Sequence, residues 1–516
     1  MAGLTPFLTS KHLNVLFLIG ASFIAIGIPF SLVMMSMGTI GVSVVYILEG
    51  GFKEKLGRLN HPVLKPIIAL ILLFVVALLW TSDLKTGARI IRKVIPLLVI
   101  PLVFSGISSV SKRQINLLIW AFVAATVLSV LINIGVAFST DTLTMGNPRK
   151  ISLFVSHIRL SLYIVLSIVW VCYSNVNWAL KILIVSVLSM FVFLAQTVTG
   201  MILLFVISMA VLLGVLTING NQAFKYFRLI FSAIILVVFG FLAYTTYDFY
   251  NPNFPEATPE FTENGKRYNP ELENGFMENG NFLWSYVSFS ELDKGFKSAT
   301  GQSVWAENKD GNENYGVLIR YLNNKGLKKN AAGISQLDSK DFQRILLGSP
   351  YPDLWKYRGF SKRVRGLLFH LEKSRFSTDF RGNSIAEKIV FQTAGWKAYL
   401  NSPIIGAGTG DMKEALAGYY DEAYPNLPDE RRRKPHNQYI SYLVLAGPLA
   451  LFLLIMIFVQ QWRNVPAKFV NFGKAFVIIV LVSFLGEDTI GSQAGVTFVA
   501  FFSGLLFLLK PRDESE

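Results

Sequence analysis

The sequence is poor in cysteine, in metal-binding patterns and in charge. It has one cysteine, Cys172, which excludes disulfide bonds within the chain and argues against a thiolate metal site. Its five histidines form no His-Glu-x-x-His motif and no other paired spacing typical of a metal site. Charged residues make up only 16% of the chain, and no internal repeat or low-complexity tract is present. No sequence pattern therefore predicts a metal or a cofactor.

Long apolar runs dominate what is present. Hydrophobic residues make up 52% of the chain. An apolar run of about 18 residues predicts a membrane helix, because a backbone in lipid must satisfy its own hydrogen bonds. We therefore predict an all-α polytopic membrane protein with about twelve transmembrane helices. The first run has no small-residue cleavage site and is predicted to be an anchor. The runs are 13–30, 33–49, 63–80, 94–110, 114–137, 156–174, 178–196, 200–218, 228–247, 437–459, 474–486 and 491–509.

One hydrophilic stretch divides the chain into three parts. Residues 1–247 hold the first nine predicted membrane helices, 248–436 form one large loop, and 437–516 hold the last three helices and a short tail. In the loop, apolar residues recur at helical spacing within 317–322 and 385–400, and 339–347 has the pattern of a short capped helix. Trp284, Tyr286, Val287 and Phe289 alternate as in a short strand. We predict a mainly helical loop domain.

The net charge of +15 is concentrated in the apolar parts of the chain. The predicted loop contributes 26 basic and 24 acidic residues, so it is nearly neutral, and no nucleic-acid partner is predicted. Most of the Lys and Arg residues between the membrane helices fall on one side, which the positive-inside rule assigns to the cytoplasm. Both termini are then cytoplasmic, and the loop 248–436 lies on the outer face.

Six basic residues contradict this bias, because they are predicted on the outer face. They precede the fourth membrane helix or surround the start of the sixth. Charge at or within the bilayer is costly, so these residues are candidates for a functional site. The alternative is that their side chains extend to lipid headgroups, which is hardest to accept for Arg159 within the apolar run 156–174. The six are Arg89, Arg92, Lys93, Arg149, Lys150 and Arg159.

The end of the loop brings a histidine to the predicted membrane surface. His436 and Asn437 lie where the loop ends and the tenth membrane helix begins. An imidazole there suits a general base near neutral pH, and the alternative is a residue that caps the helix. His157 is predicted on the same face. The adjacent carboxylates Glu487 and Asp488, in the last outer loop, are candidates for a metal site, but a loop hydrogen-bonding role is favoured.

Two further segments each have two interpretations. The glycine-rich segment 403–410 either presents backbone N–H groups to a phosphate or forms a tight turn, and it lacks the lysine of a nucleotide-binding loop. The basic run Arg431–Lys434 precedes His436. It either attracts a phosphorylated acceptor or anchors to lipid headgroups.

Several short motifs, in this order, resemble the signature of the bacterial O-antigen ligase and polymerase superfamily. The stretch from Gly146 to Arg159 resembles its earlier arginine motif. Residues 286–292 and 319–329 resemble the loop typical of O-antigen ligase proteins from Bacteroidetes. The resemblance covers most of the chain, including the twelve-helix layout, and Pro448 directly after Gly447 is a departure. The other motifs are Arg381, Trp396, Asn401–Pro403, Gly406–Gly410, His436–Asn437 and Gly447.

The resemblance implies a GT-C-like glycosyltransferase at the periplasmic face of the bacterial inner membrane. It implies transfer of a glycan from undecaprenyl diphosphate to the lipid A–core oligosaccharide, with inversion and without a metal or cofactor. His436 would be the catalytic base, supported by Asn437 and His157. Arginines suit the diphosphate because their charge is permanent and their planar fork matches phosphate oxygens. These would be Arg149, Arg159 and Arg381, with Arg89 and Arg92 as second choices.

Other functions remain open at this point. An O-antigen polymerase and a protein O-oligosaccharyltransferase would share the same donor chemistry. A transporter or flippase is an alternative from another class. It would predict related halves and broken helices that meet near the middle of the bilayer. The sequence shows no similarity between its halves.

Overall fold

The computed structural model describes most of the chain, and the described part is mainly helical. Within it, the only strands are two of two residues each, Met277–Glu278 (β1) and Asn281–Phe282 (β2), paired in a hairpin. The helical content agrees with the predicted all-α class. Arg149, Lys150 and Arg381 lie outside the described residues. The described residues are 10–107, 110–139, 151–195, 197–217, 237–238, 240–250, 259–269, 277–278, 280–307, 313–352, 364–369, 384–425 and 427–509.

The chain divides into two compact units. Unit 1 comprises Met1–Phe231 with Lys388–Glu516, and unit 2 comprises Ser232–Glu387. The predicted loop 248–436 thus contains part of unit 2 and a segment of unit 1 from Lys388 onward. The helices that begin in unit 1 before residue 232 are α1 (Ser10–Phe30), α2 (Leu32–Leu48), α3 (Phe52–Arg58), α4 (Leu64–Val76), α5 (Leu84–Val94), α6 (Pro96–Gly106), α7 (Lys112–Ser139), α8 (His157–Tyr173), α9 (Trp178–Leu194) and α10 (Val198–Leu212).

The remaining helices follow in chain order. Unit 2 contains α11 (Phe289–Thr300), α12 (Asn314–Asn324), α13 (Ala331–Ile334) and α14 (Ser339–Leu346). Helix α15 (Ser384–Asn401) leads back into unit 1, which continues with α16 (Met412–Ala423), α17 (Gln438–Arg463), α18 (Val470–Ser483) and α19 (Gln493–Phe507).

Three of the described helices are long and apolar enough to cross a membrane, by length and composition. They lie at Lys11–Phe30, Lys112–Ser139 and Gln438–Arg463. Six shorter apolar helices accompany them, among them α8 and α19. Most of the predicted apolar runs therefore fold as helices, as expected for a membrane protein. The ninth predicted run, 228–247, lies largely outside the described residues.

The fourth predicted run, 94–110, begins at the junction between two helices. Helix α5 ends at Val94, and Pro96 begins α6, where its missing N–H and fixed φ suit the first helical turn. Pro101 lies inside α6. Arg89, Arg92 and Lys93 consequently lie on a separate short helix, α5. Only Gly87 and Val94 of that helix are buried.

The core of unit 1 is built from packed helix pairs and aromatic contacts. Helix α17 packs against α4, α18 against α8, and α19 against α6. The rings of Phe74 on α4 and Tyr442 on α17 lie 5.0 Å apart at 90°. This contact joins the end of α4 to the start of α17. It therefore fixes which end of each helix lies near His436.

Unit 2 has a small core of its own around α12. The buried carboxylate of Glu278 accepts two hydrogen bonds from Arg320, at 2.9 and 2.7 Å. The predicted strand at 284–289 is not formed. Residues 284–286 form a turn, Val287 makes a single bridge to Lys329, and Phe289 begins α11. Burial of Val287 within this core explains the alternation without a strand.

Candidate functional site

The chain takes an unusual backbone conformation at His436, immediately before α17 begins. His436 has φ of +49°, the left-handed region that side chains other than glycine rarely adopt. Asn437 is the N-cap of α17, and its side-chain oxygen accepts hydrogen bonds from the N–H groups of Tyr439 and Ile440, at 3.0 and 3.2 Å. Asn437 therefore caps α17, and the His436 imidazole takes no part in the cap.

A carboxylate of the α18–α19 loop (residues 484–492) faces the imidazole. Nδ1 of His436 lies 3.7 Å from Oε2 of Glu487, and the histidine side chain is about one-third exposed, at 32%. This distance is longer than a direct hydrogen bond, so the interaction is mainly electrostatic. The Lys388 ammonium lies 4.0 Å from the other oxygen of Glu487 and donates to the carbonyl of Gly486 at 2.9 Å. Glu487 is therefore a charged neighbour of His436 on the Nδ1 side of the ring.

The second carboxylate of this loop has a positioning role. Asp488 is buried and accepts a hydrogen bond of 2.6 Å from the Ser441 hydroxyl, one turn into α17. Its other oxygen lies 2.8 Å from the ammonium of Lys434. Lys434, which precedes His436, and Ser441, which follows it, therefore both contact the Asp488 side chain. For Asp488, the favoured loop hydrogen-bonding interpretation agrees with these contacts.

The loop is also joined to α17 through Asn437 and Gln438. Asn437 donates from its side-chain nitrogen to the carbonyl of Leu485 at 3.3 Å. The backbone N–H of Gln438 donates to the carbonyl of Phe484, and its buried side-chain oxygen accepts from the N–H of Ile490, both at 2.9 Å. The start of α17 and the α18–α19 loop therefore form one rigid platform that holds His436.

The glycine-rich segment fills a break in α17. Ala446 and Gly447 have non-helical backbone angles, with φ of +70° at Gly447. The carbonyls that this break releases accept from the glycine-rich segment: Val444 from the N–H of Ala407 at 2.7 Å, and Leu445 from that of Gly408 at 3.2 Å. These two N–H groups are therefore already bonded and cannot serve a phosphate. The tight-turn interpretation of this segment is the better one.

The same segment holds the end of α4 and the start of α5. The carboxylate of Asp411 accepts from the N–H groups of Ser82 and Asp83, at 2.7 and 2.8 Å. Asp83 in turn caps α5 by accepting from the N–H of Thr86 at 2.9 Å. The Thr86 hydrogen bonds hold the pKa of the exposed Asp83 carboxyl below its usual range. Helix α5, with Arg89 and Arg92, is thereby fixed near the His436 end of unit 1.

Arg89, Arg92 and Arg159 are cations that form no ion pair with a carboxylate among the described residues. Arg89 and Arg92 are exposed on α5, whereas Arg159 is only partly exposed near the start of α8. Ser156 caps α8 by accepting from the N–H of Arg159. His157 is the first residue of that helix and is partly exposed.

One buried contact links the Arg159 helix to the His436 platform. The Tyr163 hydroxyl, one helical turn after Arg159, donates to the carbonyl of Ala494 at 3.3 Å. Ala494 belongs to the first turn of α19, directly after the α18–α19 loop that carries Glu487. Since one turn rises about 5.4 Å, Arg159 belongs to the same end of the helical bundle as His436.

The sequence did not reveal the partners of His436. In the sequence Glu487 and Asp488 are only adjacent carboxylates, and Ser441 carries no signal. The contact between His436 and Glu487 depends on the residue at which α18 ends and the loop begins. A pattern of apolar residues does not define that position well. The helical periodicity of 385–400 was the only hint that Lys388 projects from a defined surface.

The chain matches no protein-family model, and no curated protein sequence matches it significantly. The resemblance to O-antigen ligases consequently stays a hypothesis. What can be argued about function comes from three local features. These are the imidazole beside Glu487, the arginines that form no ion pair among the described residues, and the apolar helices of unit 1.

Proposed function

We propose that the chain is a membrane-embedded, metal-independent, inverting glycosyltransferase of the O-antigen ligase type. In this proposal it has a GT-C-like fold with about twelve spans, both termini in the cytoplasm and the loop 248–436 in the periplasm. It transfers a glycan from undecaprenyl diphosphate to the lipid A–core oligosaccharide in the bacterial inner membrane. The observation that carries the proposal is the partly exposed His436 imidazole beside Glu487, at the start of an apolar helix.

In the proposed reaction His436 is the base for an acceptor hydroxyl. Nε2 takes the hydroxyl proton while the acceptor oxygen forms a bond to the anomeric carbon from the side opposite the leaving group. The bond from that carbon to the diphosphate oxygen breaks, and the diphosphate leaves with the electron pair. The Glu487 carboxylate beside Nδ1 stabilises the imidazolium that results. A positioned base of this kind contributes about 10²–10⁴ in rate.

The leaving diphosphate needs positive charge on the same face. Arg159 supports this role best, because it is only partly exposed and forms no ion pair among the described residues. A charge so placed within an apolar helix is costly unless a ligand uses it. Arg89 and Arg92 on α5 are exposed to solvent, and Arg149 and Arg381 complete the proposal from outside the described part of the chain.

A transporter is the second candidate, because α17 is broken at Ala446 and Gly447. Broken membrane helices in transporters use their freed carbonyls to coordinate ions. Here the carbonyls of Val444 and Leu445 accept from Ala407 and Gly408 instead. The break is thus occupied by protein, which favours a structural role for it. An O-antigen polymerase and a protein O-oligosaccharyltransferase share the donor chemistry and are separated by the acceptor.

Deletion of the gene, followed by gel analysis of lipopolysaccharide and glycoproteins, tests the proposal. Loss of all polymer from the lipid A–core, with accumulation of lipid-linked polymer, is expected. A core that bears a single repeat unit would instead identify a polymerase. Normal lipopolysaccharide with unglycosylated proteins would identify a protein transferase, and unchanged glycans would reject all three.

Complementation with variants tests the site. His436→Ala should abolish transfer without lowering the amount of protein, whereas His12→Ala, at the start of α1, should leave transfer unchanged. Activity of the purified protein should also survive a chelator. Full activity of His436→Ala would exclude the proposed base. Strict dependence on Mg²⁺ or Mn²⁺ would direct attention to Glu487 and Asp488.

A further inference from the structure

Unit 1 contains a cavity with both polar and apolar walls on the segment that precedes His436. Its volume is about 260 Å³, and it lies between the start of α5, the end of the glycine-rich segment, α16 and residues 429–432. Its polar walls are Asp83, Asp411, Lys413, Glu414, Tyr420, Asp429 and Arg432. Of the proposed catalytic and diphosphate-binding residues that the structure describes, none lines the cavity.

The walls of the cavity are held in place by contacts to the surrounding backbone. Both oxygens of Asp411 accept from the N–H groups of Ser82 and Asp83. The hydroxyl of Tyr420 donates to the carbonyl of Arg433 at 2.7 Å, and burial raises the pKa of this tyrosine, so it stays neutral. The cavity is therefore a formed feature and not a gap between mobile side chains.

The lining of the cavity carries four carboxylates and two cations, and each cation is paired with a carboxylate. Arg432 lies 2.5 Å from a carboxylate oxygen of Asp421 and 3.6 Å from one of Asp429, and Lys413 lies 3.4 Å from Asp429. Such a mixture provides no concentrated positive charge for a phosphate. Nor do the carboxylates converge on a cation, since the described residues contain no group of three metal-ligating side chains. The excess of carboxylates therefore disfavours an anionic ligand and provides acceptors for hydroxyl groups.

An uncharged ligand with many hydroxyl groups fits this environment. Hydroxyls both donate and accept, so they can bond to carboxylates and to cations in the same cavity. Leu416 and Ala417 supply apolar surface for the C–H faces of such a ligand. We propose that the cavity binds one neutral sugar residue of a substrate glycan. This inference rests on the proposed glycosyltransferase function, because that function supplies a glycan at this end of the bundle.

One wall of the cavity is joined to the segment that leads to His436. The Tyr420 hydroxyl donates to the carbonyl of Arg433, and His436 is three positions further along the chain. An extended chain of that length spans at most about 11 Å between Cα atoms. The cavity would therefore hold a sugar beside the segment that leads to His436. It is a substrate-positioning site and not part of the bond-breaking machinery.

Two variants of α16 test the proposal on the full detergent-solubilised chain. Ala417→Phe fills the cavity, and Glu414→Gln removes one acceptor charge without changing its shape. Glu422→Gln, on an exposed position of the same helix outside the cavity, is the matched control. Binding is measured without donor by saturation-transfer NMR with glucose, galactose and N-acetylglucosamine, and transfer is measured as kcat and KM for each substrate.

We expect a saturation-transfer signal from at least one sugar, lost in Ala417→Phe and retained in Glu422→Gln. Glu414→Gln should raise one KM by about three- to tenfold with kcat unchanged, as expected for one or two lost hydrogen bonds. A higher KM for the acceptor assigns the cavity to the acceptor glycan, and a higher KM for the donor assigns it to the donor glycan. Unchanged sugar binding and KM in both cavity variants would overturn the proposal.

The binding experiment separates this proposal from the proposed function. The wild-type chain could show no transferase activity and still bind a sugar, with the binding abolished by Ala417→Phe. That result would support the cavity proposal and reject the glycosyltransferase assignment. If transfer is active and depends on His436, yet no variant changes sugar binding or KM, the cavity assignment alone fails.

Discussion

Replacing Gly447 with alanine is expected to destabilise the chain by about 2–5 kcal/mol. An alanine at φ of +70° costs roughly 1–2 kcal/mol in backbone strain. Its Cβ would also lie 2.2 Å from the carbonyl oxygen of Ile404, which is backbone and must shift. That shift separates α17 from the N–H groups of Ala407 and Gly408. Two weakened hydrogen bonds add about 0.5–1.5 kcal/mol each.

Thermal unfolding of the detergent-solubilised chain measures the overall effect, and hydrogen exchange locates it. Gly447→Ala should accelerate exchange at the Ala407 and Gly408 amides by more than tenfold, since about 1.4 kcal/mol corresponds to a factor of ten. Gly418→Ala is the matched control. It lies on α16, where an added Cβ would meet no atom within 4 Å, and the alanine should stabilise that helix slightly.

Equal stability of Gly447→Ala and Gly418→Ala would refute the reasoning, because it would mean that the break in α17 does not depend on close backbone packing. Loss of stability without faster exchange at Ala407 and Gly408 would also contradict it. In that case the alanine would strain the backbone at position 447, but the carbonyls of Val444 and Leu445 would not depend on the glycine-rich segment for their hydrogen bonds.

Three further predictions concern side chains. Glu487→Gln should lower kcat about 5- to 30-fold with little change in KM. At 3.7 Å, the attraction between Glu487 and a charged His436 is worth roughly 1 kcal/mol in water and about 4 kcal/mol at an effective dielectric constant of 20. Because both side chains are partly exposed, the effect should lie toward the lower value. Steady-state kinetics check this, and a change confined to KM would contradict it. Asp488→Ala should lower the thermal midpoint, because it leaves Lys434 and the buried Ser441 hydroxyl without their partner; an unchanged midpoint would exclude the positioning role. Burial lowers the pKa of Lys329 from 10.5 to about 7, so the unfolded state binds more protons between these values and stability rises with pH across that window. Lys329→Met should therefore stabilise the chain more at pH 6 than at pH 10, and equal gains in the thermal midpoint at both values would argue against a buried charge.

The apolar runs predicted the helices well because lipid and core burial both demand internally bonded backbone. The same runs could not show where a helix is interrupted. Pro96 lies within the predicted run 94–110 but begins a helix, and in the sequence the break at Gly447 is visible only as a Gly-Pro pair. Whether such a pair bends, ends or interrupts a helix depends on what lies opposite, here Ile404 and Ala407.

The candidate site was predictable residue by residue but not as an arrangement. The position of His436 at a helix start follows from the end of the hydrophilic stretch, and the N-cap role of Asn437 follows from its residue type. The contact with Glu487 joins positions 51 residues apart in sequence and depends on the register of α18. The predicted strand at 284–289 failed for a related reason, since tertiary burial produced its alternation.

The contact between the glycine-rich segment and α17 has a consequence for how this region tolerates change. Connecting segments usually accept insertions because their backbone faces water. Residues 404–408 instead supply N–H groups to carbonyls that would otherwise be unbonded within an apolar helix, where each unsatisfied group costs several kcal/mol. A single inserted residue there would shift this register and disrupt the first half of α17. Although it is a loop, the segment behaves as a length-restricted part of the bundle.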